Sequence, residues 1–370
     1  VQMANDLLLD DAPGKARMRK TNDSSLKMFE PISDNALPID PPAAYCNNVS
    51  ITFSDNNNVT QAAVVSGKSL VSMISWDSKM ENHKKVKIEV TDPSSGEAPM
   101  VLQAKFVTPA SRSSPLLVVA STAGASIYEG SMSSNKTVMS FNPYSAIFGP
   151  PDKANPLPGF CRGITCVDNT ILVGTAHGYL MSFNCSGGSS VTVKKNIHEH
   201  KCAIADIATC KFDDLTASAD VGGTIIVWTK ACKAVSKRII SDLAITVLNV
   251  LRRQVLVGGV HGQIHIYAAA TGELMAAVAA HCRAVTGISV APESAYVLTS
   301  GEDASVRVFK LHTRKPEAYQ LEFRYGDEME DRLLVGAHFA NDRGSSMVFA
   351  SYDVPQLLLY KIYKKTPAVS

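Results

Sequence analysis

No apolar stretch of this 370-residue chain is long enough to span a bilayer as a helix. The best candidate, Leu243 to Leu251, covers nine residues and ends at Arg252 and Arg253, against the ~18 that a span requires. The first residues, Val-Gln-Met-Ala-Asn-Asp, show no basic start followed by an apolar run, so no secretory leader is expected. A charge excess is also missing. Lys and Arg total 36 against 34 Asp and Glu, a formal net charge of +2. That balance argues against a dedicated nucleic-acid surface and against steering toward anionic membranes. Charged residues make up 19%, too few for long solvated helices or coiled coils. The eight cysteines, at 46, 161, 166, 185, 202, 210, 232 and 282, form no C-x-x-C pair. They are too dilute for a disulfide scaffold and read as reduced thiols. Catalytic signatures are missing as well. There is no G-x-S-x-G elbow, no G-x-x-x-x-G-K-[S/T] loop, no G-x-G-x-x-G and no H-E-x-x-H.

The chain does have 45% apolar residues, ample for a core. Its length predicts two domains unless the architecture is a closed β-fold that grows by repetition. Residues 1–44 carry Pro13, Pro31, Pro38, Pro41 and Pro42 and the basic residues Lys15, Arg17, Arg19 and Lys20, without apolar periodicity. They read as an extended N-terminal arm. From residue 45 to 365 the texture is short runs rich in Val, Ile, Thr and aromatics, separated by turn residues. That is strand chemistry, and no helix is evident. Residues 366–370 form a tail.

Repeats select among the all-β folds. His200-Lys-Cys-Ala-Ile-Ala-Asp-Ile207 matches His281-Cys-Arg-Ala-Val-Thr-Gly-Ile288 at a spacing of 81, two units of about forty. Each unit also has a small-residue turn followed by a strand ending in an aromatic. Those aromatics, at 183, 228, 267, 309 and 360, are 45, 39, 42 and 51 apart, the period of a four-stranded propeller blade. Twenty-seven strand candidates run from Val49 to Tyr363. They make six full blades and one three-stranded blade, so the expected fold is all-β, a seven-bladed propeller. Its last blade, Leu334–Phe339, Met347–Ser351 and Leu357–Tyr363, needs a fourth strand to cover an open edge. The arm is the remaining chain. One of its apolar stretches, Leu26–Ile32 or Ala36–Ile39, is expected to pair antiparallel with Leu357–Tyr363, leaving residues 1–25 to project.

With these features the chain resembles the WD40-repeat family. The family's blades are braced by a hydrogen-bonded His, Ser/Thr, Asp and Trp. The residues that match are His200 and Trp228 in one unit and His281, Thr299 and Asp303 in another. Phe309 stands where Trp is expected, and Asp220 stands two residues early, before Val221 and Gly222. The resemblance narrows to one branch of the family through Tyr45-Cys-Asn-Asn-Val-Ser50, Cys161-Arg-Gly-Ile164, Gly258-x₃-Gly262-Gln-Ile-His265 with Ala270-Thr-Gly272, and Ser300-Gly-Glu-Asp-Ala304. It covers about residues 36 to 362. It implies a non-catalytic cytoplasmic scaffold that binds other proteins and can self-associate.

Other chemistry is weaker. His198, His200, Cys202 and Cys210 suggest zinc ligands, but no fourth ligand is evident at the right distance and His200 is accounted for as a brace. No metal, cofactor or catalytic residue is therefore expected. Asp213-Asp214 and Glu328 to Asp331 read as solvated loops. Basic runs such as Lys84, Lys85 and Lys87 lack interleaved aromatics, so no nucleic-acid partner is expected. In the family, loops entering each blade's first strand line one face. The resemblance places Arg162, Lys201 and Arg283 there, as a face that could take an acidic segment. Three roles follow from the resemblance. The first is a docking platform in a cytoplasmic assembly. The second is a structural part of a cytoskeletal or ciliary (axonemal) complex. The third is a substrate-recognition module of a ubiquitin ligase, for which Trp228-Thr-Lys lacks the W-D-x-R motif.

Overall fold

Seven antiparallel sheets follow one another along the chain, six of them ordered as the sequence is and the seventh closed by the N-terminal arm, in a seven-bladed propeller. The computed structural model describes residues 28–32, 37–54, 59–78, 82–133, 136–148, 159–187, 190–312 and 320–363. From the axis outward, blade 1 is Ser50–Ser54, Val59–Ser66, Leu70–Asp77 and His83–Glu89. Blade 2 is Val101–Val107, Leu116–Ser121, Gly124–Glu129 and Ser140–Pro143. Blade 3 is Cys161–Val167, Thr170–Thr175, Tyr179–Gly187 and Ser190–Val193. Blade 4 is Ile204–Cys210, Leu215–Asp220, Thr224–Trp228 and Val235–Ile240. Blade 5 is Ile245–Leu251, Gln254–Gly259, Gln263–Ala268 and Leu274–Ala279. Blade 6 is Val285–Ala291, Tyr296–Gly301, Ser305–His312 and Gln320–Glu328. Blade 7 is Leu334–Phe339, Ser346–Ser351 and Gln356–Ile362, with the arm outside them.

The apolar residues form seven separate cores, each between two neighbouring blades. This is why inner strands read as unbroken apolar runs. Leu116–Ser121 is buried at every position because both sheet faces are covered. Outer strands alternate, as in His83–Glu89. Repetition of this contact lets one domain absorb the whole chain without a thicker core.

The arm completes blade 7 with both of its apolar stretches. Phe29–Pro31 pairs antiparallel with Gln356–Ile362, Phe29 opposite Ile362, and Leu37–Pro38 pairs with the same strand, Leu37 opposite Leu357. Phe29 (0% exposed) enters the core between blades 6 and 7, and Leu37 and Ile39 enter the core between blades 7 and 1. Pro31 and Pro38 are tolerated because this is the outermost position. Asp40 then ties the arm to blade 1. Its carboxylate meets Lys87 Nζ at 2.6 Å, Lys85 Nζ at 3.2 Å and the Ser72 hydroxyl at 3.1 Å.

Two details differ from the sequence reading. A single helical turn, Ser145–Phe148, follows blade 2, where no helix is expected, since one turn carries no amphipathic period. Ile197–His198 adds a short strand beside Tyr179 and Leu180. There the His198 ring stacks on Tyr179 at 3.9 Å. Residues 1–25, for which projection is expected, residues 149–158 and the tail 366–370 lie outside the described residues.

Candidate partner-binding face and channel mouth

The blade 4 brace is complete. His200 is buried and donates from Nδ1 to Asp220 Oδ2 at 2.9 Å. Its Nε2 accepts from the Ser218 hydroxyl at 2.7 Å, and Ser218 Oγ accepts from Trp228 Nε1 at 2.9 Å. The two-residue displacement of Asp220 from the expected position does not break it. Asp220 reaches the imidazole from an earlier ladder position, opposite Ile204. In blade 6 that ladder position is Gly301, opposite Val285. A Cβ on Gly301 would come within 2.5 Å of His281 Nδ1 and 2.6 Å of Asp303 Oδ1, so the two aspartates are alternative routes to one place. His281 bonds Asp303 at 3.0 Å and Thr299 at 2.9 Å. Phe309 adds no donor and packs edge-on against Phe323.

These bonds set the pH response of the two blades. Burial alone would raise the Asp220 and Asp303 pKa values, but the His hydrogen bonds and neighbouring amides hold both below the usual carboxylate range. A carboxylate with a depressed folded pKa contributes stability that is present above its unfolded pKa and is lost as pH falls through the folded one. Thermal melts taken downward from about pH 4 are expected to drop faster for the natural chain than for Asp220→Asn or Asp303→Asn. At pH 7, His200→Ala is expected to lower stability by roughly 2–4 kcal/mol, because it leaves Ser218 and Asp220 buried without their partner.

At the same end of the blades, six turns are held alike. The amide of the residue after each second strand donates to a carbonyl just before the first strand. The pairs are Thr122 to Met100, Ala176 to Phe160, Val221 to Ala203, Val260 to Ala244, Glu302 to Ala284 and Tyr352 to Leu333, at 2.8 to 3.1 Å. The bonds fix the turns and leave the side chains free. Val221 (50%), Tyr352 (49%), Val260 and Met100 are exposed apolar groups on this face. Lys201, Cys202, His261, Cys282 and Arg283 are exposed in the same loops.

Arg162 does not belong with Arg283. Cys161 pairs with Thr175 as Val285 pairs with Gly301, so Arg162 corresponds to Thr286, inside the strand. The sequence motif could not show this, because blade 3 has no His to set the register. Arg162 is half-buried and donates to the Cys46 carbonyl at 3.4 Å. Lys201 and Arg283 are both exposed in entry loops, one residue after His200 and two residues after His281 respectively.

Cys46, Asn47 and Asn48 form a cap over the channel mouth. Asn47 takes a positive φ of 57°, a conformation asparagine tolerates. Its amide donates to the Thr286 carbonyl of blade 6 at 2.6 Å, and its Nδ2 donates to Asp206 Oδ2 of blade 4 at 3.0 Å. Asn48 donates to the Val335 carbonyl of blade 7. A Cβ on Gly336 would lie 2.9 Å from that Asn48 nitrogen, so glycine permits the close approach. Asp206 is fully enclosed and also accepts from the Leu248 and Ile207 amides at 3.1 and 2.9 Å. Burial pushes its pKa up, opposed by Lys105, Arg162 and the two amides. Burial pushes Lys105 down, opposed by Asp206. Neither the cap nor Asp206 is singled out as a site by sequence reasoning. The available signal was one acidic residue inside the apolar run Ala203 to Ala208.

Among the described residues no group of three or more His, Cys, Asp or Glu is placed to hold a metal, and no helix is long and apolar enough to cross a membrane. Seven four-stranded blades with a His–Ser–Asp–Trp brace define the WD-repeat propeller class, whose members are generally non-catalytic protein-interaction modules. The chain belongs to the WDR54 family, whose profile matches residues 33–361. That span contains the four segments that narrowed the resemblance within the WD40 family. WD repeat-containing protein 54 of Homo sapiens is 28% identical over 328 residues, covering 85% of this chain and 94% of the human protein. The Mus musculus protein is 27% identical, covering 86% and 95%. Among solved structures, a chain of the mitotic checkpoint complex aligns with a TM-score of 0.67 at 16% identity, covering 97% of this chain and all of that one. Chaetomium thermophilum Raptor aligns at 0.64 and 13%, covering 92% of this chain and 29% of Raptor. Those two likenesses concern the fold alone.

Proposed function

We propose that this chain is a non-catalytic scaffold that docks other proteins in a larger cytoplasmic assembly, on the face formed by the six fixed turns. The observation that carries this is the set of exposed apolar groups Val221, Val260, Tyr352 and Met100 on a rigid frame beside Lys201 and Arg283. Apolar anchors beside cations suit a segment with apolar and acidic residues. All eight cysteines are free, which supports a reducing compartment.

The test is affinity capture from extract with the natural chain and with the triple change Val221→Glu, Arg283→Glu and Tyr352→Glu. Capture is expected to fall about tenfold or more. Stability should stay within roughly 0.5 kcal/mol per site, as for surface changes. Unchanged capture would overturn the assignment of this face. The proteins captured decide between the docking, the cytoskeletal or ciliary, and the ubiquitin-ligase roles.

A further inference from the structure

The channel wall carries groups that neither the braces, the cap nor the docking face uses. Lys105 of blade 2, Asn249 of blade 5 and His338 of blade 7 occupy one rung of their inner strands, the third after the bulge, opposite Val118, Leu256 and Val348. Each keeps some accessible surface, while the residues on either side of it along the strand are buried. An innermost strand turns its free edge to the axis, so this surface faces the channel. Charge places Lys105 there as well. It acts on His338 of blade 7 and on Asp206 of blade 4. Those blades stand two places from blade 2 on either side, and the axis is where a single group reaches both.

The hydrogen bonds of this rung leave donors unspent. Asn249 Nδ2 donates to the Ile288 carbonyl at 2.8 Å, which uses one of its two N–H groups. His338 Nδ1 donates to the Phe339 carbonyl at 2.6 Å, which leaves Nε2 as an acceptor in the neutral ring. Lys105 has three N–H donors. Among the described residues none of them has a hydrogen-bond or ion-pair partner. Asp206 tempers the charge of Lys105 from the first rung, about 7 Å nearer the cap. Its oxygens already accept from Asn47 Nδ2 and the Leu248 and Ile207 amides, and Arg162 partly offsets its charge. A desolvated cation with unspent donors calls for an acceptor from outside the chain.

We propose that the channel binds a small oxyanion, hydrogen phosphate, held by Lys105, Asn249 and His338. The three side chains come from blades spread around the ring, which suits a tetrahedral anion. A flat carboxylate is better matched by the planar fork of a guanidinium, whereas lysine serves phosphate as a point charge. His338 adds selectivity. Burial, with Lys105 adding to it, pushes its pKa down to about 4, so the ring is neutral at pH 7 and its Nε2 accepts a hydrogen bond. Hydrogen phosphate carries one O–H to give it. Sulfate carries none at this pH and would set an oxygen lone pair against a nitrogen lone pair. The cap at Cys46–Asn48 closes the mouth nearer Asp206, so the anion enters from the opposite mouth. Occupancy and docking are therefore separable.

Thermal melts of the full chain in inorganic phosphate, at an ionic strength held constant with sodium chloride, test this. The melting temperature is expected to rise with phosphate along a one-site curve. Sulfate should bind roughly tenfold more weakly or worse, for want of the O–H. Lys105→Met replaces the desolvated cation with an apolar chain of similar length. It should fold, and its dissociation constant for phosphate should be roughly tenfold higher or more. A second measurement needs the natural chain alone. With nitrogen-15 histidine, phosphate should move the imidazole signals of His338 in the magnetic resonance spectrum and leave those of the exposed His83 and His261 in place. A phosphate response no larger than that of chloride overturns the proposal. So does a Lys105→Met chain that binds phosphate as tightly as the natural one, or a signal change confined to His83 and His261. Equal affinity for sulfate would mark an adventitious ion only, and overturns it too.

Discussion

Deleting residues 1–42 is expected to unfold the ring, whereas deleting residues 1–25 leaves its melting temperature nearly unchanged. The longer deletion removes Phe29, Leu37 and Ile39, each at most 2% exposed and together spread over the two cores that flank blade 7. Truncating one such Phe or Leu to Ala costs roughly 2–5 kcal/mol. Losing all three approaches the whole stability of a domain, about 5–15 kcal/mol. The deletion also strips the ladder from Gln356–Ile362 and exposes an open edge. It removes Asp40 as well, and with it the tie to Lys85 and Lys87. Phe29→Ala alone should cost roughly 3–5 kcal/mol, read by chemical denaturation. A 43–370 chain that melts like the full chain would show that the arm is an ornament.

The second large effect is expected at Asp206. Asp206→Ala should lower stability by roughly 3–5 kcal/mol, because it leaves Asn47 Nδ2 and the Leu248 and Ile207 backbone amides without an acceptor and the desolvated Lys105 without its counter-charge. Asp206→Asn keeps an acceptor oxygen but not the charge, so its cost should be smaller. Proteolysis should then show earlier cleavage near Cys46–Asn48, since the cap loses its anchor on blade 4. Equal stability of all three chains would mean that the cap is held by backbone bonds alone, through Thr286 and Val335.

The ring itself was legible in the sequence because a propeller repeats its signal. Strand-length apolar runs and the aromatic period fix the blade number, and the three-strand remainder at Leu334–Tyr363 requires a fourth strand from the arm. The brace residues His200, Trp228, His281, Thr299 and Asp303 were legible because each sits in a motif. Asp220 was misjudged because spacing along the chain does not reveal that a side chain can reach one place from two ladder positions. Arg162 was misplaced because blade 3 has no His to set its register. Blades 3 and 6 share the bulge near the start of the inner strand, between Cys161 and Ile164 and between Val285 and Gly287, so the bulge alone shifts neither against the other. The cap at Cys46–Asn48 bonds Arg162, Thr286 and Val335, each more than a hundred positions away along the chain (162 − 46 = 116, 286 − 47 = 239, 335 − 48 = 287), and such contacts leave no local pattern.

The account rests most directly on where a bound protein touches the chain, and hydrogen exchange of the captured complex against the free chain measures that. Slowed exchange is predicted at the turns that carry Val221, Val260, Glu302 and Tyr352 and at the entry loops with Lys201 and Arg283, with little change at the opposite turns around Asp168, Asp214 and Arg252. Protection confined to those opposite turns, with the Val221 and Tyr352 turns unchanged, would contradict it.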